Sequence, residues 1–181
     1  MTSVQDIQLK RIDGGADTLA AHKGKVLLIV NVASKCGLTP QYAGLEKLFE
    51  DKRGAGLEVL GFPANNFLGQ EPGTDAEIAD FCASTYAVAF PMYSKISVAG
   101  ADQHPLYAAL IAAQPTATGE GPFRERLAGK NLGGEAPGIL WNFEKFVVGR
   151  NGAVVARFSP DVAADDPRLV AVLEAELAKA A

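Results

Sequence analysis

The sequence predicts an α/β domain in which a central mixed β-sheet is flanked by helices. The mostly apolar run at residues 26–32 has the length and the β-branched content of a strand buried on both faces, and residues 57–62 are predicted to form a second buried strand. A helical pattern separates them, so they form a β–helix–β unit with parallel strands and a right-handed crossover. An Asn-Gly turn between two further β-rich runs predicts a C-terminal hairpin, which adds antiparallel strands to the sheet.

The remaining elements follow in order along the chain. Residues 7–19 alternate weakly and contain Asp13-Gly14-Gly15, which is typical of a short edge hairpin. Pro40 opens the first helix, and the capping box Thr74-Asp75-Ala76-Glu77 opens the second. The second helix should turn Cys82 inward, on one stripe with Ile78, Phe81 and Thr85. Further helices are predicted over residues 105–113 and from Pro167 onward.

Two segments near the C-terminus complete this outline. Residues 115–138 are rich in Gly, Pro and charge, and we expect a long loop there that shapes access to any site nearby. The strands at 143–148 and 153–158 flank Arg150-Asn151-Gly152, the hairpin turn. The order β–α–β–α, hairpin, helix is that of a thioredoxin-like fold, and we expect one such domain over residues 1–181.

Composition and charge exclude several classes of function. Hydrophobic residues make up 48% and charged residues 21% of the 181-residue chain, which is ordinary for a globular protein. A net charge of -4 gives no electrostatic footprint for nucleic acid, and no basic cluster suggests a membrane surface. The longest apolar run, 26–30, is too short to span a bilayer. Because the N-terminus lacks an apolar signal core, we expect a cytoplasmic protein.

The cysteines and histidines give no sign of a metal site. The two cysteines, Cys36 and Cys82, match neither a Cys-x-x-Cys motif nor a zinc spacing, and a permanent disulfide is not expected in a reducing compartment. The two histidines, His22 and His104, lie near the ends of predicted elements, where we expect surface or capping roles. No metal or organic cofactor is therefore expected.

Cys36 is the strongest candidate for a reactive group. It follows the carboxyl end of the first buried strand and precedes a helix, at the sheet edge where α/β proteins place their sites. The positive end of the helix dipole and the nearby Lys35 favour a thiolate, which is the nucleophilic form. The alternative is a buried cysteine that packs as a small hydrophobic residue.

Two further segments offer neutral N–H donors at the same edge. The segment Phe62-Pro-Ala-Asn-Asn-Phe-Leu-Gly-Gln70-Glu-Pro-Gly73 follows the second strand, although Asn and Gly there can serve turn geometry alone. Trp141-Asn142 precedes the hairpin, and an indole N–H is a donor without a competing acceptor, although a lone Trp often only packs. A thiolate that attacks a peroxide needs such donors.

Together these segments resemble the glutathione peroxidase family. Asn-Val-Ala-Ser-Lys-Cys36-Gly-Leu-Thr, the Gln70 segment and Trp141-Asn142-Phe-Glu-Lys-Phe match it in order and spacing along nearly the whole chain. The resemblance implies a thioredoxin-like fold and a peroxidase of the cysteine form. Cys36 would be the peroxidatic residue, and Gln70, Trp141 and Asn142 its catalytic partners. Ala64 and Asn66 depart from the family, which commonly has Cys and Gln there.

The resemblance also implies a catalytic cycle. Cys36 would reduce hydrogen peroxide or an organic hydroperoxide and become a sulfenic acid. Cys82 stands where members that use thioredoxin carry a resolving cysteine, so a Cys36–Cys82 disulfide would form and thioredoxin would reduce it. The packed helix around Cys82 would partly unwind to allow this, because a disulfide requires Cα atoms within about 7 Å. The alternative for Cys82 is an inert buried cysteine.

The sequence alone leaves the reductant and the function open. Glutathione is a possible reductant in place of thioredoxin. A thioredoxin-fold binding or transport accessory that never turns over is an alternative function, and a peroxide sensor that passes its oxidation to another protein is a third. We expect a monomer or a weak homodimer.

Overall fold

A four-stranded sheet forms the centre of the protein. The computed structural model describes residues 3–181. The strands are β3 (Val26–Val32), β4 (Leu57–Pro63), β5 (Lys145–Val148) and β6 (Val154–Phe158). β3 pairs in parallel with β4 and antiparallel with β5, which pairs antiparallel with β6. The predicted mixed sheet with its parallel pair and C-terminal hairpin is therefore confirmed.

A separate two-stranded hairpin near the N-terminus consists of β1 (Gln8–Lys10) and β2 (Ala16–Thr18). Its turn needs Gly14, which has a φ of 97°, and the Asp13 carboxylate accepts the Gly15 N–H at 2.9 Å. The Ser94 N–H donates to the Lys10 carbonyl, which ties the hairpin to the chain beyond the second helix. The predicted edge hairpin is confirmed.

Within residues 3–181 five α-helices accompany the sheet, and three of them begin at recognisable caps. They are α1 (Gln41–Lys52), α2 (Asp75–Tyr86), α3 (Pro105–Ala113), α4 (Glu120–Ala128) and α5 (Pro167–Leu177). Both hydrogen bonds of the Thr74–Glu77 capping box are present at the start of α2. His104 caps α3 as expected, and Asp166 caps α5.

The helices cover both faces of the sheet. Lys145 and Phe146 are neighbours on β5, so their side chains point to opposite faces. Lys145 donates to the Gln41 side chain of α1 at 2.6 Å, whereas Phe146 packs edge-on against Tyr107 of α3. An ion pair at 3.3 Å between Lys52 of α1 and Glu174 places α5 beside α1. Every residue of β3 and β4 is consequently buried.

The expected long loop over residues 115–138 is wrong in part, because α4 lies within it. Phe123 and Leu127 form a buried i, i+4 pair, and Arg124 pairs with Glu120 one turn earlier at 3.2 Å. Pro122 is tolerated because it lies in the first turn, where the helix needs no donor. Two apolar residues are too few to produce a visible helical period, so composition pointed to a loop.

Two expectations about burial are also wrong. Thr85 of α2 is exposed, since the inward stripe runs through Ile78, Cys82 and Tyr86 at a spacing of four, and Tyr86 stacks on Tyr42 at 5.5 Å. His22 is buried rather than at the surface, because its ring lies 3.1 Å from the Tyr93 hydroxyl and faces two carboxylates.

Candidate active site

Cys36 lies in a series of tight turns between β3 and α1. The Thr39 N–H donates to the Cys36 carbonyl at 3.1 Å. In the next turn the Gln41 N–H donates to the Leu38 carbonyl at 2.9 Å. The Thr39 hydroxyl accepts the Cys36 N–H at 3.0 Å and donates to the Ala33 carbonyl at 2.8 Å. One buried side chain therefore fixes both ends of the loop that carries the cysteine.

The Cys36 sulfur is a free thiol that is mostly covered. Its residue is 9% exposed, and the Leu38 N–H donates to the sulfur at 3.3 Å. Lys35 beside it is exposed. The sulfur lies at the edge of the core, with a backbone donor directed at it.

Gln70 is held against this loop by the backbone. The Lys35 N–H donates to the Gln70 carbonyl at 3.0 Å, and the Gln70 N–H donates to the Phe67 carbonyl at 3.3 Å. The turn between them has positive φ values at Leu68 (55°) and Gly69 (61°). This places the Gln70 side chain, half-buried, next to the segment that carries Cys36.

Trp141 and Asn142 are anchored to the end of β3 by Asn31. The Asn31 side chain donates to the Trp141 carbonyl at 3.1 Å, and its backbone carbonyl accepts the Phe143 N–H at 2.6 Å. The Trp141 ring packs on Phe67, with the ring centroids 5.2 Å apart. Asn31, which the sequence did not single out, is therefore the residue that positions the Trp-Asn segment.

The structure brings Gln70 and Asn142 into direct contact. The Asn142 amide donates to the Gln70 side-chain oxygen at 2.9 Å. Because that oxygen is engaged, the Gln70 NH₂ group is directed away from Asn142 as a donor. In the described part of the chain, no hydrogen bond joins the Cys36 sulfur to the side chains of Gln70, Trp141 or Asn142. Hydrogen bonds thus link these segments to one another and to the chain around Cys36, rather than to the sulfur itself.

Cys82 lies on the buried side of α2. It is 2% exposed and unpaired, in agreement with the packed position expected from the sequence. Burial raises the pKa of its thiol; the Tyr42 hydroxyl that faces it lowers the pKa, and the Glu71 carboxyl raises it further. The thiol is therefore held in its neutral form.

A cleft of about 380 Å³ separates the Cys36 loop from α2. Ser34 and Lys35 line one side, and Ile78 and Phe81 of α2 line the other. Glu71, directly after Gln70, lies between them. The cleft therefore runs between the two segments that carry the two cysteines.

Comparison with known proteins identifies the group to which this architecture belongs. The sequence model of the glutathione peroxidase family matches residues 4–111. The Escherichia coli (strain K12) protein named thioredoxin/glutathione peroxidase BtuE is 52% identical over 98% of each chain. The chain belongs to the glutathione peroxidase family. Family membership makes it a thiol peroxidase, and the resemblance seen in the three sequence motifs is confirmed.

Solved structures agree with the family and the fold. The crystal structure of T. cruzi GPX1 has a TM-score of 0.70 at 33% identity, covering 97% of each chain. A thiol:disulfide interchange protein of the thioredoxin family from Chlorobium tepidum has a TM-score of 0.58 at 14% identity and shows the fold alone, over 97% of this chain and 96% of that one. The predicted thioredoxin-like fold is confirmed. None of the helices described here has the length and hydrophobicity needed to cross a bilayer.

Proposed function

We propose that this glutathione peroxidase family member reduces hydrogen peroxide and organic hydroperoxides through Cys36 and uses Cys82 to complete the cycle. The observation that carries the proposal is the convergence of three separate segments at one edge of the sheet. Lys35 is bonded to Gln70, Gln70 to Asn142, and Trp141 to the end of β3 that leads to Cys36. Segments that carry neutral N–H donors are thus linked to the loop that carries the free Cys36 thiol, which supports a role for these donors at the sulfur.

In the first step the Cys36 thiolate attacks the terminal oxygen of the hydroperoxide. The O–O bond breaks and Cys36 becomes a sulfenic acid. The departing hydroxide or alkoxide takes up the proton that the Cys36 thiol released on ionisation and leaves as water or an alcohol. Gln70, Trp141 and Asn142 supply N–H groups to the sulfur and to the departing oxygen, where negative charge develops. The Asn142–Gln70 hydrogen bond supports this role, because it orients the Gln70 NH₂ group before substrate arrives.

In the second step Cys82 attacks the sulfenic sulfur and forms the Cys36–Cys82 disulfide, with loss of water. Cys82 is buried in α2, so the end of α2 must open first. Ala87 supports such an opening, because this C-cap residue has the left-handed φ of 51°, which an alanine adopts at a cost. The unwinding expected from the sequence would begin there.

We further propose that a dithiol such as thioredoxin resets the disulfide by thiol–disulfide exchange. The 52% identical relative, whose name includes both thioredoxin and glutathione peroxidase, supports this choice and keeps glutathione as the alternative reductant. Steady-state turnover with thioredoxin and with glutathione, measured on hydrogen peroxide and on organic hydroperoxides, distinguishes the two.

Cysteine variants test the two steps separately. We expect Cys36→Ser to abolish peroxide consumption with any reductant, since the nucleophile is gone. We expect Cys82→Ala to consume one peroxide per protein and then stop when thioredoxin is the reductant. Peroxide consumption by Cys36→Ser would refute the role of Cys36. Full thioredoxin-driven turnover by Cys82→Ala would remove the resolving role of Cys82.

A further inference from the structure

Lys145 is a fully buried cation that the proposed peroxide step does not use. It lies on β5, shortly after Asn142 in the chain, and the residue is 0% exposed. Lysine is almost never fully buried unless its charge has partners, because an ammonium ion loses its hydration on burial. The Lys145 ammonium therefore needs an acceptor for each of its three N–H groups.

Three acceptors from different parts of the chain surround this ammonium. Its Nζ donates to the side-chain oxygen of Gln41 at 2.6 Å, and to the carbonyls of Phe143 at 2.6 Å and Pro160 at 2.9 Å. The Gln41 NH₂ group also donates to the Pro160 carbonyl, at 2.8 Å. One buried charge thus joins the first residue of α1, the segment before β5 and the turn after β6.

The Gln41 contact leads to the loop that carries Cys36. Gln41 is the first residue of α1, and its N–H donates to the Leu38 carbonyl at 2.9 Å. The Leu38 N–H in turn donates to the Cys36 sulfur at 3.3 Å. Lys145 therefore holds the point at which the cysteine loop becomes a helix.

The Phe143 contact leads to the Trp141–Asn142 segment. Phe143 directly follows this segment and has a φ of 69°, in the left-handed region that a bulky residue rarely adopts. Such a conformation persists only where the surroundings impose it. The Phe143 carbonyl accepts the Lys145 ammonium, and the Phe143 N–H donates to the Asn31 carbonyl at 2.6 Å. Both peptide groups of this strained residue are therefore fixed.

We propose that Lys145 is a positioning residue for the peroxide step, which holds the Cys36 loop and the Trp141–Asn142 segment in a fixed arrangement. This role rests on the proposed function, since it matters only if the Trp141 and Asn142 N–H groups act on the peroxide at Cys36. Asn31 ties that segment to β3, and Lys145 adds the tie to α1. All three N–H groups of Lys145 are taken up by its contacts, so it acts through the two segments rather than on the peroxide.

The protonation state of Lys145 determines how many of these contacts it makes. Burial lowers the pKa of Lys145 to about 7, while the carboxylates of Asp161, Glu144 and Asp166 oppose that fall. Only the ammonium form has a donor for each of the three acceptors, because a neutral amine has one N–H group fewer. The hold on both segments is therefore complete below the pKa of Lys145.

The ratio of two reactions of Cys36 tests the proposal. Peroxide reduction, followed by rapid mixing, needs the Trp141 and Asn142 donors, whereas alkylation by iodoacetamide, read on the Cys36 peptide by mass measurement, needs only the thiolate. Since both rates depend equally on the ionised fraction of Cys36, their ratio at one pH reports the placement of the donors. In Lys145→Met, assayed below the pKa of Lys145, we expect the ratio to fall by about 100-fold, the cost of a small misplacement of catalytic groups.

Two further variants make the ratio decisive. Gln41→Met removes one acceptor and should lower the ratio by about tenfold, with no further loss when it is added to Lys145→Met, since both break the same tie. Lys52→Met is the matched control, because it is the same substitution at the opposite end of α1, where Lys52 pairs with Glu174 at 3.3 Å. Its ratio should equal that of the unaltered protein.

Fluorescence provides a second readout of the segment. Trp141 is the only tryptophan in the chain, so its emission reports the position of the Trp141–Asn142 segment directly. Acrylamide should quench it more strongly in Lys145→Met than in the unaltered protein, and to the normal extent in Lys52→Met. If unfolding curves show that Lys145→Met does not fold, the ratio and the quenching in Gln41→Met decide.

The outcomes separate this inference from the proposed function. A normal ratio in Gln41→Met, and in Lys145→Met where it folds, would overturn the inference alone. An equal fall in Lys52→Met would also overturn it, since loss of any cation on the surface or interior of this layer would then have the same effect. No peroxide consumption by Cys36 in the unaltered protein would instead overturn the proposed function.

Discussion

At the scale of single residues, the candidate site depends on side chains that touch the backbone rather than on those expected to touch the substrate. Thr39 is such a residue. Its hydroxyl joins the Cys36 N–H to the Ala33 carbonyl, so it determines where the cysteine loop leaves β3. The Asn31 side chain does the same for Trp141, whose carbonyl accepts its N–H. The positions of the cysteine and of the proposed donors therefore depend on Thr39 and Asn31.

Thr39→Val should weaken both stability and activity. It keeps the shape of the side chain but leaves a buried N–H and a buried carbonyl unpaired, which costs about 1–3 kcal/mol. A displaced nucleophile should also lower the rate of the peroxide step by about tenfold or more. Denaturant unfolding and rapid-mixing peroxide assays measure the two effects. Thr39→Ser retains both hydrogen bonds and serves as the control; equal losses in the two variants would contradict the hydroxyl's role.

At the scale of elements, α2 combines a strong start with a weak end. At the start of α2 the capping box of Thr74 and Glu77 provides acceptors for free backbone N–H groups. At its end the C-cap residue is Ala87, which has a left-handed φ. Cys82 lies within reach of that end, because its carbonyl accepts the N–H groups of Ala87 and Val88. The helix is thus arranged to open from the end nearer to Cys82, as the proposed resolving role of this cysteine requires.

The same substitution at the C-cap of α2 and within the helix should have opposite effects on stability. Ala87→Gly removes the strain of the left-handed conformation and should raise the free energy of unfolding by about 1 kcal/mol. Ala83→Gly, at an exposed interior position of the same helix, should lower it by about 1 kcal/mol, because glycine is a poor helix former. Chemical denaturation measures both. Destabilisation by Ala87→Gly would show that Ala87 is not strained.

At the scale of the whole molecule, a buried polar cluster joins the N-terminal hairpin to the sheet. Asp17 accepts the Tyr93 hydroxyl at 2.8 Å and pairs with Arg11 at 3.2 Å, and His22 lies between Asp17 and Glu58. Burial opposes ionisation of Asp17, but the hydrogen bonds from Tyr93 and the Thr18 N–H and the charge of Arg11 prevail and lower its pKa. Asp17 is therefore an ion in the folded protein.

This cluster predicts a loss of stability in acid. Because the pKa of Asp17 is lower in the folded state than its ordinary value of 3.8, its contribution is complete above that value and disappears as pH falls through the folded pKa. Asp17→Asn should consequently destabilise the protein at neutral pH and matter less in strong acid. Unfolding free energies of both proteins across that range provide the test. A penalty independent of pH would contradict an ionised Asp17.

Local sequence determines the order and type of most elements and the position of the candidate reactive segments. Strand runs, capping boxes and the Asn-Gly turn act over a few residues, and three motifs in register indicated Cys36, Gln70, Trp141 and Asn142 and the family. The pairing of Asn142 with Gln70, the burial of Glu71 and His22, and the two-turn helix α4 arise from contacts between residues far apart in the chain. The sequence gives the identity of a charged residue but not its surroundings, so only the folded packing shows which carboxyl groups are buried.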